Sequence, residues 1–323
     1  MSSPNSKTGK RRVVVLLSDK RSGSTIVQDE LAKHPDVQHV AYSPHTYSET
    51  MHWLKGARLL DMPRETYYGH QYYSTFKSAR VARAYLEDLL AGNEIDVDSF
   101  NNDRDMVFAG WESLCEKYAQ PVFFEKSPQY LSQWCCLSLL LEWIETTEFD
   151  VKIIGLVRNP LSVLYSAEEL FLTDSQVRQY NWAEKYRNLL AFERFIPPDQ
   201  FRLIRYEDLI ASPQEKLAEL QNFIGLETQD EIGEQVHGSS KEKWRNDRNY
   251  GLQLDESVKQ VARVFGYTND QLFNEGDKLP NPTLLMRFKR FAKKQKNALL
   301  NRVVKPLRLP KGRQDGQQEE PPK

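Results

Sequence analysis

Arg11-Arg12-Val13-Val14-Val15-Leu16-Leu17-Ser18-Asp19-Lys20-Arg21-Ser22-Gly23-Ser24-Thr25 is the stretch that decides the fold. From Arg11 to Leu17 it is a β-branched apolar run without alternation, which marks a strand buried on both faces of a parallel sheet. The run breaks into the small polar turn Ser18 to Ser24. A helical pattern follows from Thr25 through Ile26, Val27, Glu30 and Leu31, until His34-Pro35-Asp36 stops it. A glycine-containing turn between a strand and a helix N-terminus lets backbone N–H groups approach an anion. Ser22, Ser24 and Thr25 add hydroxyl donors around Gly23, and Lys20 and Arg21 add positive charge. One glycine and no Gly-Lys-Ser/Thr set the turn apart from a Walker A loop. Read alone, the same residues also suit a strand–helix connection that binds nothing.

Working outward, strands alternate with helices. Val37 to Tyr42 reads as a second strand, and Ser43 to Tyr73 as an irregular Pro-, His- and Tyr-rich insertion on the substrate side. Helical patterns return at Lys77–Leu90 and Asp105–Tyr118. Val122-Phe123-Phe124 is a short strand ending in Glu125-Lys126-Ser127-Pro128, and Ser132–Ile144 is helical. Val151–Val157 is another buried strand, which Arg158-Asn159-Pro160 converts into a helix with proline in its first turn. A helix over Asn181–Phe195 precedes strand Phe201–Arg205 and the segment Tyr206-Glu207-Asp208. Ser212-Pro213-Gln214-Glu215 has the form of a capping box, and Gly225 stands where a C-terminal glycine ends that helix. Such alternation predicts an α/β chain with a parallel sheet covered on both faces.

In an open parallel sheet, ligands collect at the carboxyl ends of the strands. Three of these ends carry polar chemistry here. Beside the Gly23 turn stands Arg158, whose guanidinium offers two parallel donors to phosphate oxygens, with Ser166 eight residues beyond. On an ideal helix that spacing carries Ser166 away from the strand end, so an irregular first turn is expected. The third end, Arg205 to Asp208, reads equally well as a simple strand closure.

These motifs together resemble the PAPS-dependent sulfotransferases, in the carbohydrate-type or bacterial-like form of the loop. Ser18–Thr25 resembles their 5′-phosphosulfate loop. Val157–Ser166 resembles the 3′-phosphate motif, in which the residues matching Arg158 and Ser166 bind the 3′-phosphate. Tyr206-Glu207-Asp208-Leu209 is similar to a Tyr-Glu-Asp-Leu segment of the family, and Lys243-Trp244-Arg245 to its C-terminal Trp-Arg element near the nucleotide. The likeness runs in order from about residue 12 to Phe265-Gly266-Tyr267. It implies a three-layer P-loop-like fold, a central parallel sheet flanked by helices. It also implies PAPS as co-substrate, PAP as product and in-line transfer of a sulfuryl group to a hydroxyl, less readily to an amine. The nucleotide-binding set is then Arg21, Ser22, Gly23, Ser24, Thr25, Arg158, Ser166, Tyr206, Trp244 and Arg245.

Catalytic groups follow from the same resemblance. The cytosolic small-molecule branch carries lysine where Arg21 stands. An arginine does not readily give up a proton, so Arg21 is expected to act as a fixed charge. Proton donation to the leaving group then falls to Lys20 or Lys126. Heparan-sulfate-type members have a Glu after the second strand and a Lys in Glu-Lys-Ser, which Glu125-Lys126-Ser127 matches. For the base the sequence offers Glu49 and His45, with Glu49 slightly preferred. No carboxylate-rich metal set is evident, and no metal is expected.

At 323 residues, 40% of them hydrophobic, the chain suits one large α/β domain. A mean hydropathy of -0.64 and a polar Met1–Lys10 show neither a spanning segment nor a signal peptide, so a cytoplasmic protein is expected. Three cysteines, Cys115, Cys135 and Cys136, fall in apolar helical stretches and read as buried thiols. The net charge of -1 hides an asymmetry: residues 278–314 hold twelve Lys or Arg and no Asp or Glu. The expected organisation is a flexible 1–10, a sulfotransferase domain over 11–277, a basic helical arm over 278–314 and a disordered 315–323. The arm can dock an apolar stripe on the body or lie on a membrane surface, peripheral to it. Nothing in the arm suggests nucleic-acid reading. The aromatic segment 43–73 suits a small-molecule, glycan or glycolipid acceptor. The competing readings are a P-loop-type kinase or NTPase, which the missing Gly-Lys-Ser/Thr disfavours, and a non-catalytic nucleotide-binding interaction protein.

Overall fold

The computed structural model describes residues 11–45, 47–64, 78–171, 173–236, 242–247, 249–275 and 292. The chain divides into two units, Met1–Leu279 and Pro280–Lys323. The basic arm and the tail therefore lie outside the described residues, Ala292 excepted.

Five parallel strands form one sheet in the order β2-β3-β1-β4-β5: β1 Arg12–Ser18, β2 Val37–Gln38, β3 Val122–Lys126, β4 Asp150–Val157 and β5 Phe201–Arg205. Because side chains alternate across a strand, the unbroken apolar run of β1 feeds two cores. Val13, Val15 and Leu17 point into one, Val14 and Leu16 into the other. The first core is roofed by α2 His52–Leu59, α3 Ala79–Gly92, α4 Asp103–Tyr118, α5 Trp134–Thr146, α6 Pro160–Phe171 and α7 Ser175–Glu193. The second lies under α1 Ser24–Leu31, α8 Tyr206–Ala211 and α9 Pro213–Ile224. Two short helices follow, α10 Lys243–Asn246 and α11 Glu256–Val264. The result is the expected α/β sandwich of three layers.

This topology positions the site. β1 and β4 are neighbours, yet the helices that leave them, α1 and α6, pack on opposite faces of the sheet. A crevice therefore opens beyond the carboxyl ends of these two strands, where open α/β sheets take their ligands.

Several local expectations are corrected. The second strand is only Val37–Gln38, not Val37 to Tyr42, because the chain leaves the sheet edge after pairing two residues with β3. The insertion from Ser43 is not irregular throughout: it contains α2, whose Trp53 packs against His52, Trp111 and Trp143. Residues 65–77 of it lie outside the described residues. The helix expected at Asn181 starts at Ser175, where Asp174 caps it by accepting from Gln176 N–H. Ser212 stands at the N-cap of α9 without a side-chain capping bond, with Pro213 at the first turn and Gly225 left-handed at the end. Among the described residues no helix is long and apolar enough to cross a membrane.

Candidate functional site

A cavity of about 300 Å³ opens in the crevice, and its wall includes Arg21, Gly23, Ser24, Thr25, Arg158, Ser166, Tyr206 and Trp244. Residues far apart in sequence thus meet as the strand-end reading required. Gly23 caps α1 at φ 94°, a conformation that glycine adopts at little cost. The first intrahelical bonds of α1 are made by Ile26 and Val27 N–H to Gly23 C=O, so the amides ahead of them belong to the exposed helix end. Arg21 also has a left-handed backbone, φ 73°, and its Nε donates to Ser166 Oγ at 3.0 Å.

Arg158 leaves the end of β4, buried, with Nη1 donating to Arg21 C=O at 3.0 Å and its guanidinium over the Tyr206 ring at 4.3 Å. Burial lowers its pKa, an effect that nearby Tyr206 and Glu207 oppose; a guanidinium stays charged regardless. Tyr206 opens α8 rather than a mere turn, and its ring packs directly against Gly23. Glu207 behind it accepts from Asn159 N–H and from Tyr267 OH, tying the second and third strand ends together.

No irregular turn brings Ser166 to the cavity. Ser162, Tyr165, Ser166 and Glu169 also line it, at helical spacings that place them on one face of α6. The cavity runs along the flank of that helix instead of ending at its start. Trp244 closes the wall, buried, its indole N–H donating to Ser162 Oγ at 3.2 Å. Lys243 joins Arg21 and Arg158 as a third cation on the lining, against the single carboxylate of Glu169.

Six expected nucleotide or catalytic residues are not on this wall: Ser22, Lys20 and Arg245, and the neighbouring His45, Glu49 and Lys126. Ser22 is fully buried and turns its hydroxyl to Tyr186 OH at 3.0 Å. Lys20 is absent from the lining, with its amide held by the Asp19 carboxylate at 2.7 Å. Arg245 points to Asp270 C=O and Glu242. Conversely, Ile26, Ser162, Tyr165, Glu169 and Lys243 also line it without having been expected; the helical spacing of Ser162, Tyr165 and Glu169 with the expected Ser166 is the signal that could find three of them.

The remaining candidates form a second cluster beside the cavity. Lys126, at the end of β3, reaches Glu49 Oε1 at 3.1 Å and Thr25 Oγ1 at 3.5 Å, which links the cluster to the cavity wall. Glu49 Oε2 faces His45 Nδ1 at 3.2 Å and accepts from Gln129 Nε2 at 3.1 Å. Burial works to raise the Glu49 pKa, but the His45 bond and the Lys126 charge outweigh it and hold the carboxyl below its usual range. His45 and Glu49, the two candidate bases, are therefore in direct contact. Lys126 is sealed from solvent and acts through its contacts.

The segment carrying Glu49 is bent, with Tyr47, Ser48 and Met51 all left-handed. It is fastened by Ser43 Oγ to Glu49 C=O and by Met51 N–H to Ser127 Oγ. Beneath it lies Glu125, fully buried, whose Oε1 accepts from Thr50, Ser127 and Tyr130 hydroxyls. Burial raises the Glu125 pKa to about 7.

A model described as "Sulfotransferase family" matches residues 14–230, more than half of the chain. Human (Homo sapiens) "Carbohydrate sulfotransferase 1" is 22% identical over 183 residues, 44% of this chain and 44% of that protein, so the match spans less than half of the relative's length. The "Sulfotransferase Domain from the Curacin Biosynthetic Pathway" superposes with a TM-score of 0.55 at 23% identity, covering 79% of this chain and 97% of that one. The "Sulfotransferase Domain from the Synechococcus PCC 7002 Olefin Synthase" does so with 0.53 at 18% identity, covering 83% and 99%. At such identities the two structures establish the shared fold.

Proposed function

Because the chain belongs to the sulfotransferase family, we propose that it moves a sulfuryl group from PAPS to an acceptor hydroxyl and releases PAP. One observation carries the donor assignment: the Gly23 turn after β1 and Arg158 after β4 face a single cavity. Two anion holders on neighbouring strands suit a nucleotide phosphorylated at both ends better than a nucleoside triphosphate, whose phosphates lie in one row.

When bound, PAPS supplies a sulfuryl group already joined to a good leaving group. The protein's work is then positioning and stabilisation of charge. Arg21 and the α1 N-terminus hold the 5′ end, where negative charge grows as the bridging S–O bond breaks. Arg158, Ser162 and Ser166 hold the 3′-phosphate, and Trp244 keeps Ser162 oriented. The acceptor oxygen forms the new S–O bond and loses its proton to the His45–Glu49 pair. A carboxylate held below its usual range is a weak base by itself, so Glu49 serves to orient and stabilise the imidazole. Lys126 fixes Glu49 against Thr25 and hence against the donor.

The human relative's name, a carbohydrate sulfotransferase, supports a sugar hydroxyl on a glycan or glycolipid as acceptor. Calorimetric titration with PAP, ATP and adenosine 5′-phosphate tests the donor site. PAP should bind by far the tightest; comparable affinity for all three defeats the reading.

A further inference from the structure

The turn that holds Arg21 has two left-handed positions on either side of Ser22, Arg21 at φ 73° and Gly23 at φ 94°. Glycine adopts this region freely, whereas a residue with a Cβ gives up about 1 kcal/mol or more. Something must therefore hold Arg21 there. Both its neighbours are fastened from behind, by groups that take no part in the cavity wall.

We propose that Tyr186 is a positioning residue whose hydroxyl clamps the β1–α1 turn and so keeps Arg21 aimed at the 5′ end of the donor. The proposal rests on the donor site just described. Tyr186 lies on α7, fully buried. Its hydroxyl donates to Leu156 C=O on β4 at 3.0 Å, meets Ser22 Oγ at 3.0 Å and accepts from Asp19 N–H at 3.5 Å. A phenol has one proton to give and two lone pairs to fill, and the Arg158 backbone N–H approaches the same oxygen. One atom thereby joins the end of β4 to both flanks of the loop.

A buried charge cluster supports the same flank. The Asp19 carboxylate, with no solvent exposure, is paired with Lys185 and lies 3.5 Å from Arg178, both on α7, while its Oδ1 accepts from Lys20 N–H at 2.7 Å. Burial works to raise the Asp19 pKa, but the two cations outweigh it and keep the carboxylate charged. Ser22 N–H completes the turn by donating to Asp19 C=O at 3.3 Å. With residues 19, 20 and 22 pinned inward, Arg21 is the one that projects outward, Nε on Ser166 and C=O on Arg158. Burial beside Asp19 also raises the Tyr186 phenol, which stays protonated as a donor.

The test uses the full chain with Tyr186→Phe and, as a variant outside the core helix, Ser22→Ala. Each is titrated calorimetrically with PAP and with adenosine 3′-phosphate, which lacks the 5′-phosphate. Amide hydrogen exchange across residues 18–25 is read without ligand. Loss of one buried hydrogen bond corresponds to about a tenfold effect. Expected are about a tenfold weaker hold on PAP, unchanged affinity for adenosine 3′-phosphate, and about tenfold faster exchange at the loop with the remaining core protected. Equal losses on both ligands, or unaltered exchange at the loop, overturn the clamp. If the unsubstituted protein binds no PAP, the donor reading fails, and the exchange rate alone then decides the clamp.

Discussion

Gly23 lies flat against Tyr206, with no room between them for a methyl group: a Cβ built on Gly23 would stand 2.4 Å from two carbons of the Tyr206 ring. That ring also carries the Arg158 guanidinium on its face. The contact therefore couples the two anion holders through one aromatic plate, and a shift of Tyr206 moves both.

Gly23→Ala is consequently expected to be doubly costly. The added methyl meets the ring, and the positive φ disfavours any side chain. A thermal unfolding comparison should show destabilisation of about 2 kcal/mol or more. PAP affinity should fall at least as much as in Tyr206→Ala, which loses the plate but keeps the loop. An alanine variant that binds normally would show that the turn does not approach the ligand.

Arg158→Ala separates the two ends of the nucleotide. The guanidinium is buried beside Ser162 and Ser166 on the cavity wall, and a charge-assisted pair to phosphate is worth about 2 kcal/mol. Binding of PAP should weaken by tenfold or more, whereas adenosine 5′-phosphate should lose far less. Equal losses in a calorimetric comparison would remove Arg158 from the 3′-phosphate site.

The Glu49–Lys126 pair has a side-chain exposure of 8% on one partner and none on the other. Removing one member of such a pair leaves the other charge buried and costs about 3–5 kcal/mol. Lys126→Met should therefore unfold at markedly lower denaturant concentration than the double variant Lys126→Met/Glu49→Gln. Additive losses in that cycle would mean that the two side chains do not interact in solution.

The contrast between Ser22 and Ser24 shows how much of this site could be read beforehand. Both are serines in one glycine turn, and local chemistry treats them alike. Ser24 lines the cavity, while Ser22 faces Tyr186, 164 positions further along the chain. That choice is made by tertiary packing, which no window of sequence contains. Strands β1, β3 and β4 were legible because their apolar runs answer to a sheet buried on both sides, and β5, an edge strand, by its shorter Phe201–Arg205 run. The extent of β2 was not, since the chain leaves the sheet after Gln38 although its partner β3 runs on to Lys126. Helix α2 is hard to read because His52 and Lys55 interrupt the apolar pattern, although both are buried. The contact of His45 with Glu49 is within reach of the sequence, since a spacing of four residues lets two side chains meet.

Glu125 yields the pH dependence. Its ordinary carboxyl pKa of 4.5 is raised to about 7 in the folded protein, by burial first. Glu49 adds to the shift, and Thr50, Ser127 and Tyr130 oppose it only in part through their bonds to Oε1. Its Oε2 is buried without a hydrogen-bond partner among the described residues. A carboxyl with a raised folded pKa binds more protons folded than unfolded. Its contribution is therefore intact below the unfolded value and is lost as pH rises from 4.5 towards 7. Glu125→Gln keeps an oxygen for the three hydroxyls and removes the titration. Relative to the unsubstituted chain, this variant should gain about 2 kcal/mol of stability on going from about pH 5 to about pH 8. Urea unfolding at both pH values measures the difference directly. A stability gap that stays constant with pH would mean that Glu125 is already charged at neutral pH, and the bent segment would then need another anchor.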